Sequence, residues 1–209
     1  MTEQLITALD RRRFLIQVMP ACSLACLCSG RVGADQAAEP DKPSGGEQHK
    51  FEVAFEQKTS TLKQTTDQNR TFIDFIKTLQ SELEEDELIR LLNIHSADWG
   101  RRIGKRHAAR TPDTSFQSFV ANFRPPNYAK TLTLEITEDT DKVFELRVTE
   151  CVWAKVFRDA GLGGEIGHAA VCNMDYYWPP SFNENFKMER SKTLMQGDDQ
   201  CNHRYINTA

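Results

Sequence analysis

The chain has no C-x-x-C pair, and its cysteines fit none of the usual zinc spacings. It also has no G-x-S-x-G elbow and no H-E-x-x-H helix motif. Gly161-Leu162-Gly163-Gly164 lacks both the Lys-Ser/Thr that follows in a P-loop and the strand that precedes a dinucleotide turn, so it reads as a flexible helix–helix connection. Apart from one interrupted run near the start, no apolar stretch approaches the roughly 18 residues of a membrane-spanning helix. Basic residues are not in excess: 26 Lys and Arg stand against 30 Asp and Glu, which argues against a general nucleic-acid binder, since that needs a basic surface. What remains is a soluble, globular composition, 39% hydrophobic and 27% charged, in 209 residues: one ordinary domain plus extras.

The extras lie at the N-terminus. Arg11-Arg12-Arg13 leads into an apolar stretch from Phe14 to Cys28, and Val32-Gly33-Ala34 follows as a small-residue cleavage site. Arg11-Arg12 with Phe14 and Leu15 resembles a twin-arginine export signal, although Asp10 stands where Ser or Thr is usual. Residues 1–34 are therefore expected to be a signal peptide read by the bacterial twin-arginine export machinery, with the periplasm as destination. Lipidation of Cys22, Cys26 or Cys28 is the alternative; contact with a membrane is expected only through the signal or such an anchor. Cleavage after Ala34 removes Arg11, Arg12, Arg13, Arg31, Glu3 and Asp10, taking the formal net charge from −4 to −6. Residues 35–50, rich in Pro, Gly and charge, read as a disordered tether.

Residues 51–209 read as one α+β domain. Phe72, Ile76, Leu79 and Leu83 form a helical stripe, which Leu88, Leu91 and Leu92 continue after an acidic turn at Glu84–Glu87. Ser96 to Arg110 reads as a basic, solvated helix face, with Trp99 as a packing residue. Asp113 can cap a short helix that Pro125-Pro126 stops. The period then changes to two: Leu132, Leu134 and Ile136, a turn at Asp139–Asp141, and Val143 to Val148 predict an antiparallel hairpin. Helices are expected over Glu150–Ala160 and Gly164–Tyr177, the second stopped by Pro179-Pro180. A second hairpin is expected from Met188–Met195 and Gln200–Ile206, turning at Gly197-Asp198. The fold class is thus N-terminal helices packed on an antiparallel sheet of two hairpins, with two intervening helices.

The chemistry-bearing residues gather between Arg147 and Tyr205. Only Cys151, Cys172 and Cys201 survive processing, an odd number that argues against a simple disulfide scaffold. His168, Cys172 and Asp175 share one face of the predicted helix, and Cys201 and His203 one face of the predicted strand. Cys151 falls at a helix start, where the dipole lowers a thiol's pKa. A thiol with a carboxylate and an imidazole beside it has the parts for nucleophilic and acid–base chemistry. Three other readings stay open: three cysteines that only pack the core; zinc held by the cysteines with His203 or Asp175; or a periplasmic protein that binds a metal, haem or organic ligand without turnover.

Thr149-Glu150-Cys151, Trp153-Ala154, Phe157, Gly161, Glu165, Gly167, Cys172, Asp175, Arg190, Thr193-Leu194, Gly197-Asp198, Cys201 and Arg204-Tyr205 together resemble the L-2-amino-thiazoline-4-carboxylic acid hydrolase family. The resemblance spans about Leu132 to Tyr205; Asn202 departs from the acidic residue often found after the last cysteine. It implies a small-molecule substrate and cysteine-assisted hydrolytic opening of a cyclic amidine-like thiazoline ring to N-carbamoyl-cysteine, expected as cleavage of a non-peptide carbon–nitrogen bond, with no cofactor. Carried onto this chain, the thiol and acid positions are Cys151, Cys172, Asp175 and Cys201. On this reading Cys172 is the nucleophile and Asp175 its acid–base partner. His203 is a second base, Cys151 and Cys201 line the site, and Arg190 or Arg204 clamps the substrate carboxylate, with His168 nearby.

Overall fold

Hydrophobic stripes and turn residues fold the chain into long helices followed by an antiparallel sheet. The structure is a computed structural model that describes residues 50–51 and 54–209. The expected export signal, and the expected tether up to residue 49, lie outside the described residues; Lys50, expected as the tether's last residue, pairs with Glu135 in a short strand instead. The elements are β1 (Lys50–Phe51), α1 (Phe55–Glu82), α2 (Glu85–Ala108), α3 (Phe116–Ala121), β2 (Leu132–Asp139), β3 (Val143–Cys151), α4 (Val152–Asp159), α5 (Glu165–Gly167), α6 (Trp178–Phe182), β4 (Phe186–Glu189) and β5 (Cys201–Asn207). The sheet runs β1-β2-β3-β5-β4, and every pairing is antiparallel. No described helix is long and apolar enough to cross a membrane.

The α+β class and the hairpin β2–β3 are as the sequence predicts. The second pair differs. β4 ends at Glu189, and Arg190 to Gln200 form an irregular connection with a 3₁₀ turn at Leu194–Gln196, so β5 enters the sheet between β3 and β4. The reason is local: Asp198 accepts from the Thr193 backbone N–H at 2.7 Å, and Asn202 accepts from Ser191 and Lys192 at 3.0 and 2.7 Å. Side chains satisfy the backbone there, where strand pairing was expected.

Two cores result. One, with Phe119 and Phe144 fully buried, lies between the sheet and α3 and α6; the other, with Ile76, Leu88 and Phe157 fully buried, lies among α1, α2 and α4. Each such side chain contributes about 1.5–3 kcal/mol by leaving water. His107, expected on a solvated face, packs among the rings of Phe119, Trp178 and Phe182 and accepts from Trp178 Nε1 at 3.2 Å. Trp99 packs on the first core, as expected.

The segment after α4 departs most from the regular helix expected over Gly164–Tyr177. α5 runs into a π-helical turn at His168–Cys172 and a 3₁₀ turn at Asn173–Tyr176; α6 follows, with Pro179 and Pro180 within it where a stop was expected. Two glycines of α2 allow this segment to lie against the helix backbone. A Cβ at Gly100 would sit 2.3 Å from the Met174 carbonyl oxygen, and one at Gly104 would sit 2.5 Å from that of Trp178. Asn173 fastens the contact, donating to Ser96 Oγ at 3.1 Å and to the Asn93 carbonyl at 3.3 Å.

Candidate active site

Arg190 begins the irregular connection after β4, and its side chain is only 2% exposed. A guanidinium has five N–H donors and no acceptor. Nη1 donates to Asp175 Oδ2 at 2.9 Å and to His203 Nε2 at 3.3 Å. Nη2 donates to the Cys172 carbonyl at 3.0 Å and to His168 Nε2 at 3.3 Å. The fifth donor, Nε–H, is buried and has no hydrogen-bond partner among the described residues. The guanidinium carbon also lies 5.0 Å from the centre of the Tyr176 ring.

This geometry fixes protonation states. Arg190 can only donate, so Nε2 of both His168 and His203 accepts, and both rings are neutral with the proton on Nδ1. Burial, reinforced by the Arg190 charge, lowers both histidines, His203 to about 3. Burial raises Asp175 above the usual carboxylate range, against the pull of Arg190. Burial is the largest single influence on Arg190 and works against its charge, but Asp175, Cys172 and Tyr176 together outweigh it and hold the guanidinium above its ordinary range.

Helix geometry brings His168, Cys172 and Asp175 to Arg190. Cys172 ends the π turn and caps the 3₁₀ turn Asn173–Tyr176, and a three-residue step of such a turn returns to the same side, which places Asp175 on the side of Cys172. The π turn stands immediately before it, and π turns recur at functional sites. From the sheet, His203 opposes Leu146, and Cys201 opposes Val148, on the face that packs into the core.

Cys151 reaches the same region through an irregularity. Thr133 pairs with Glu150 and Leu134 with Val148, so β3 carries one extra residue, Thr149. That bulge reverses the alternation and turns Cys151 inward, where it packs against both cores. Charge on Cys201 or Asp175 raises the Cys151 thiol, and charge on Asp175, Cys151 or Cys201 raises the Cys172 thiol, so these groups lie within electrostatic reach of one another.

None of the thiols is a resting thiolate. Burial pushes Cys172 far above the ordinary thiol range, pushes Cys151 up to about 11 and raises Cys201. For Cys151 this corrects the sequence expectation. It does precede α4, and the N–H groups of Ala154 and Trp153 do lower its pKa, but desolvation is larger. Cys201 accepts from the Leu194 backbone N–H at 3.2 Å.

Cys151 also lines a cleft of about 530 Å³ between α1, α4 and the ends of β2 and β3. Leu62, Leu132, Val152, Ala154 and Leu194 give it an apolar body. Its charged lining is Lys58, Lys130, Lys155 and Arg158 against Glu150 and Asp159.

Residues 64–205 match the model of the L-2-amino-thiazoline-4-carboxylic acid hydrolase family. The chain belongs to that family. The match reaches into the helical half, well beyond the segment from Leu132 on which the sequence resemblance rests. No curated protein matches the chain. Among solved structures, a trafficking protein particle complex subunit 3 from Naegleria fowleri, described as covalently bound to palmitic acid, is similar at a TM-score of 0.46 and 11% identity, over 68% of this chain and 94% of that one.

Of the site residues named from the sequence of this family member, seven converge: Cys151, His168, Cys172, Asp175, Arg190, Cys201 and His203. Arg204 does not. It lies on the opposite face of β5, where Nη1 donates to Glu138, at 2.6 Å, and to Glu145. Strand alternation is the cause, since neighbours of His203 must point away from it. The expected bidentate grip by Arg190 is also corrected, because its two terminal nitrogens are already taken by the protein. Tyr176, Tyr128 and Tyr205 were missed. Charge on Asp175 raises the last two phenols after burial does, and Tyr128 holds a left-handed φ of 62°. Nothing in the sequence near Tyr128 marks that strain. Among the described residues no group of three or more His, Cys, Asp or Glu is placed to hold a metal ion.

Proposed function

We propose that this protein is a hydrolase that opens a cyclic amidine-like ring of the thiazoline-carboxylate type, with the chemistry centred on Cys172 and Asp175 beside Arg190. The observation that carries this reading is the single buried, unpartnered donor of Arg190. Four of its five N–H groups are used by the protein and Nε–H meets no well-aligned acceptor among the described residues; the Tyr176 side chain also lies close enough to the guanidinium to raise its pKa, without satisfying Nε–H. An unmet buried donor costs about 1–3 kcal/mol, and a substrate carboxylate oxygen would remove that cost.

In this reading Asp175, raised by burial, is the base. Its Oδ2 is held by Arg190. Both imidazoles already use Nε2 as acceptors from Arg190, so they orient the guanidinium. The Cys172 sulfur bonds to the ring carbon between sulfur and the two nitrogens while its proton passes to Asp175. Addition is across the amidine-like carbon–nitrogen double bond. The bond that then breaks is the ring carbon–sulfur bond, not the carbon–nitrogen bond expected from the sequence, because N-carbamoyl-cysteine keeps both nitrogens on that carbon; the ring sulfur takes the proton from Asp175. Water adds to the resulting isothiourea carbon, Cys172 leaves as a thiol, and N-carbamoyl-cysteine is released. A neutral resting thiol suits this order, because deprotonation is then coupled to attack.

The test is release of product thiol from 2-amino-thiazoline-4-carboxylate by the purified protein, with correction for its own cysteines. Cys172→Ser should abolish turnover; a fully active Cys172→Ser variant sinks the nucleophile assignment. A second reading, binding without turnover, is favoured by the strongly raised thiols. Saturable binding of the thiazoline with no thiol release would establish it. Export through the twin-arginine machinery belongs to the proposal and rests on residues 1–34; a cytoplasmic full-length chain in cell fractions would refute it.

A further inference from the structure

The cleft over Cys151 is larger and more apolar than a nine-heavy-atom thiazoline carboxylate needs. At about 530 Å³ it falls in the range of sites for drug-sized ligands. Its body is aliphatic, and its rim carries a local excess of positive charge on a net acidic chain.

The paired charges show where that excess lies. Lys58 is engaged by Glu150 and Thr133, and Lys155 by Asp159 at 2.9 Å. Arg158 donates to the Leu194 carbonyl at 3.1 Å, which leaves its charge without a carboxylate in that contact. Lys130 is exposed at the same rim. Four cations and two anions line the cleft, an excess of two positive charges carried by Lys130 and Arg158.

We infer that this cleft is a binding site for an amphipathic monoanion: an apolar body of drug-like size seated on Leu62, Leu132, Val152 and Leu194, with a carboxylate or similar head between Lys130 and Arg158. The apolar body supplies the affinity by leaving water, and the two cations select the sign of the head group. The thiol of Cys151 forms part of the wall, so an occupant lies against it. The bulge that turns Cys151 inward leaves Thr149 exposed at the same rim. The inference goes beyond the hydrolase reading and requires no ring opening.

The experiment uses the full chain and anilinonaphthalene sulfonate, an apolar anion, as fluorescent probe. Saturable binding at one site is expected. Decanoate should displace the probe at least about tenfold better than decanol or decyltrimethylammonium, which share its chain length but not its charge. Lys130→Glu with Arg158→Glu should weaken probe and decanoate about tenfold or more, while decanol is little affected. Thr149→Trp, at an exposed position, should fill the cleft and abolish binding of all of them. Equal displacement by the three chains, or unchanged probe binding in Thr149→Trp with an unchanged urea midpoint, overturns the proposal. Repeating the titrations in Cys172→Ser separates the two readings: retained binding there supports the cleft whatever the fate of the hydrolase assignment, and lost binding counts against it.

Discussion

Asp175→Asn isolates the charge at the centre of the site. The substitution keeps the shape of the side chain and an acceptor for Arg190 Nη1, and it removes the negative charge 2.9 Å from a guanidinium whose side chain is 2% exposed. A buried pair that loses one partner leaves an uncompensated charge and costs about 3–5 kcal/mol. Against a typical total stability of roughly 5–15 kcal/mol, that is a large share. For a domain of this size it corresponds to a fall in Tm of roughly 6–20 °C. Arg190→Met should cost a comparable amount by a different route. It strips donors from two imidazoles and the Cys172 carbonyl, about 1 kcal/mol each, while Asp175, already raised by burial, escapes its penalty by taking a proton. The double variant should therefore lose about 2 kcal/mol or more less than the sum of the singles. Urea unfolding at pH 7, followed by fluorescence of Trp99, Trp153 and Trp178, measures all three. Asp139→Asn is the control: its partner Arg124 is 34% exposed, and such surface pairs contribute about 1 kcal/mol or less. If Asp175→Asn costs no more than Asp139→Asn, the idea that Arg190 depends on Asp175 for its burial is wrong.

Stability should fall as pH drops below about 6.5. His203, lowered to about 3 in the fold, binds its proton first in the unfolded chain, so its contribution is present above the unfolded pKa and lost as pH falls. His203→Asn should flatten that slope in urea titrations at pH 4 to 7, whereas an unchanged slope would assign the acid sensitivity elsewhere. Cys151, Cys172 and Cys201 should react slowly with a disulfide reagent at pH 7.5 in the native protein and at once in denaturant. Rapid native labelling of Cys172 would refute its burial. Gly104→Ala places a Cβ 2.5 Å from the Trp178 carbonyl oxygen and should cost about 1–3 kcal/mol in thermal unfolding. An unchanged Tm would show that the helical segment can move aside freely.

The parts of the fold that follow from repeating patterns were legible in the sequence. The leucine stripe of α1, the break before Glu85 and the alternation of β2 and β3 each depend on a period that burial imposes. Residues that depend on an exception to a period were not legible in detail. Cys151 reaches the site only because Thr149 is an extra residue in β3, and the bulge leaves no mark in composition. The stretch from His168 to Tyr176 has a helical pattern, yet it folds as a π turn and a 3₁₀ turn against two glycines of α2, Gly100 and Gly104, that the basic residues around them obscure. Even so, the spacing Cys172 to Asp175 survived the change of helix type. A three-residue step falls on one side of an α-helix and on one line of a 3₁₀ turn alike.

That tolerance explains why the convergence of these residues could be read from a partly wrong secondary structure, and why their protonation could not. Which residues converge depends on spacing, and spacing is in the chain. Which of them are charged depends on desolvation, and desolvation depends on what the fold stacks around them. The cysteines were expected to be activated by a helix start and by neighbouring bases; the fold instead buries them and hands every nearby basic nitrogen to Arg190. On the proposed reading, a centre of this kind keeps its nucleophile neutral until a ligand arrives. The buried donor left unfilled among the described residues, Arg190 Nε, is where an anionic ligand would change the local charge balance most directly. On that reading, binding there and reactivity at Cys172 are coupled through a single guanidinium, which holds the backbone carbonyl of Cys172 itself.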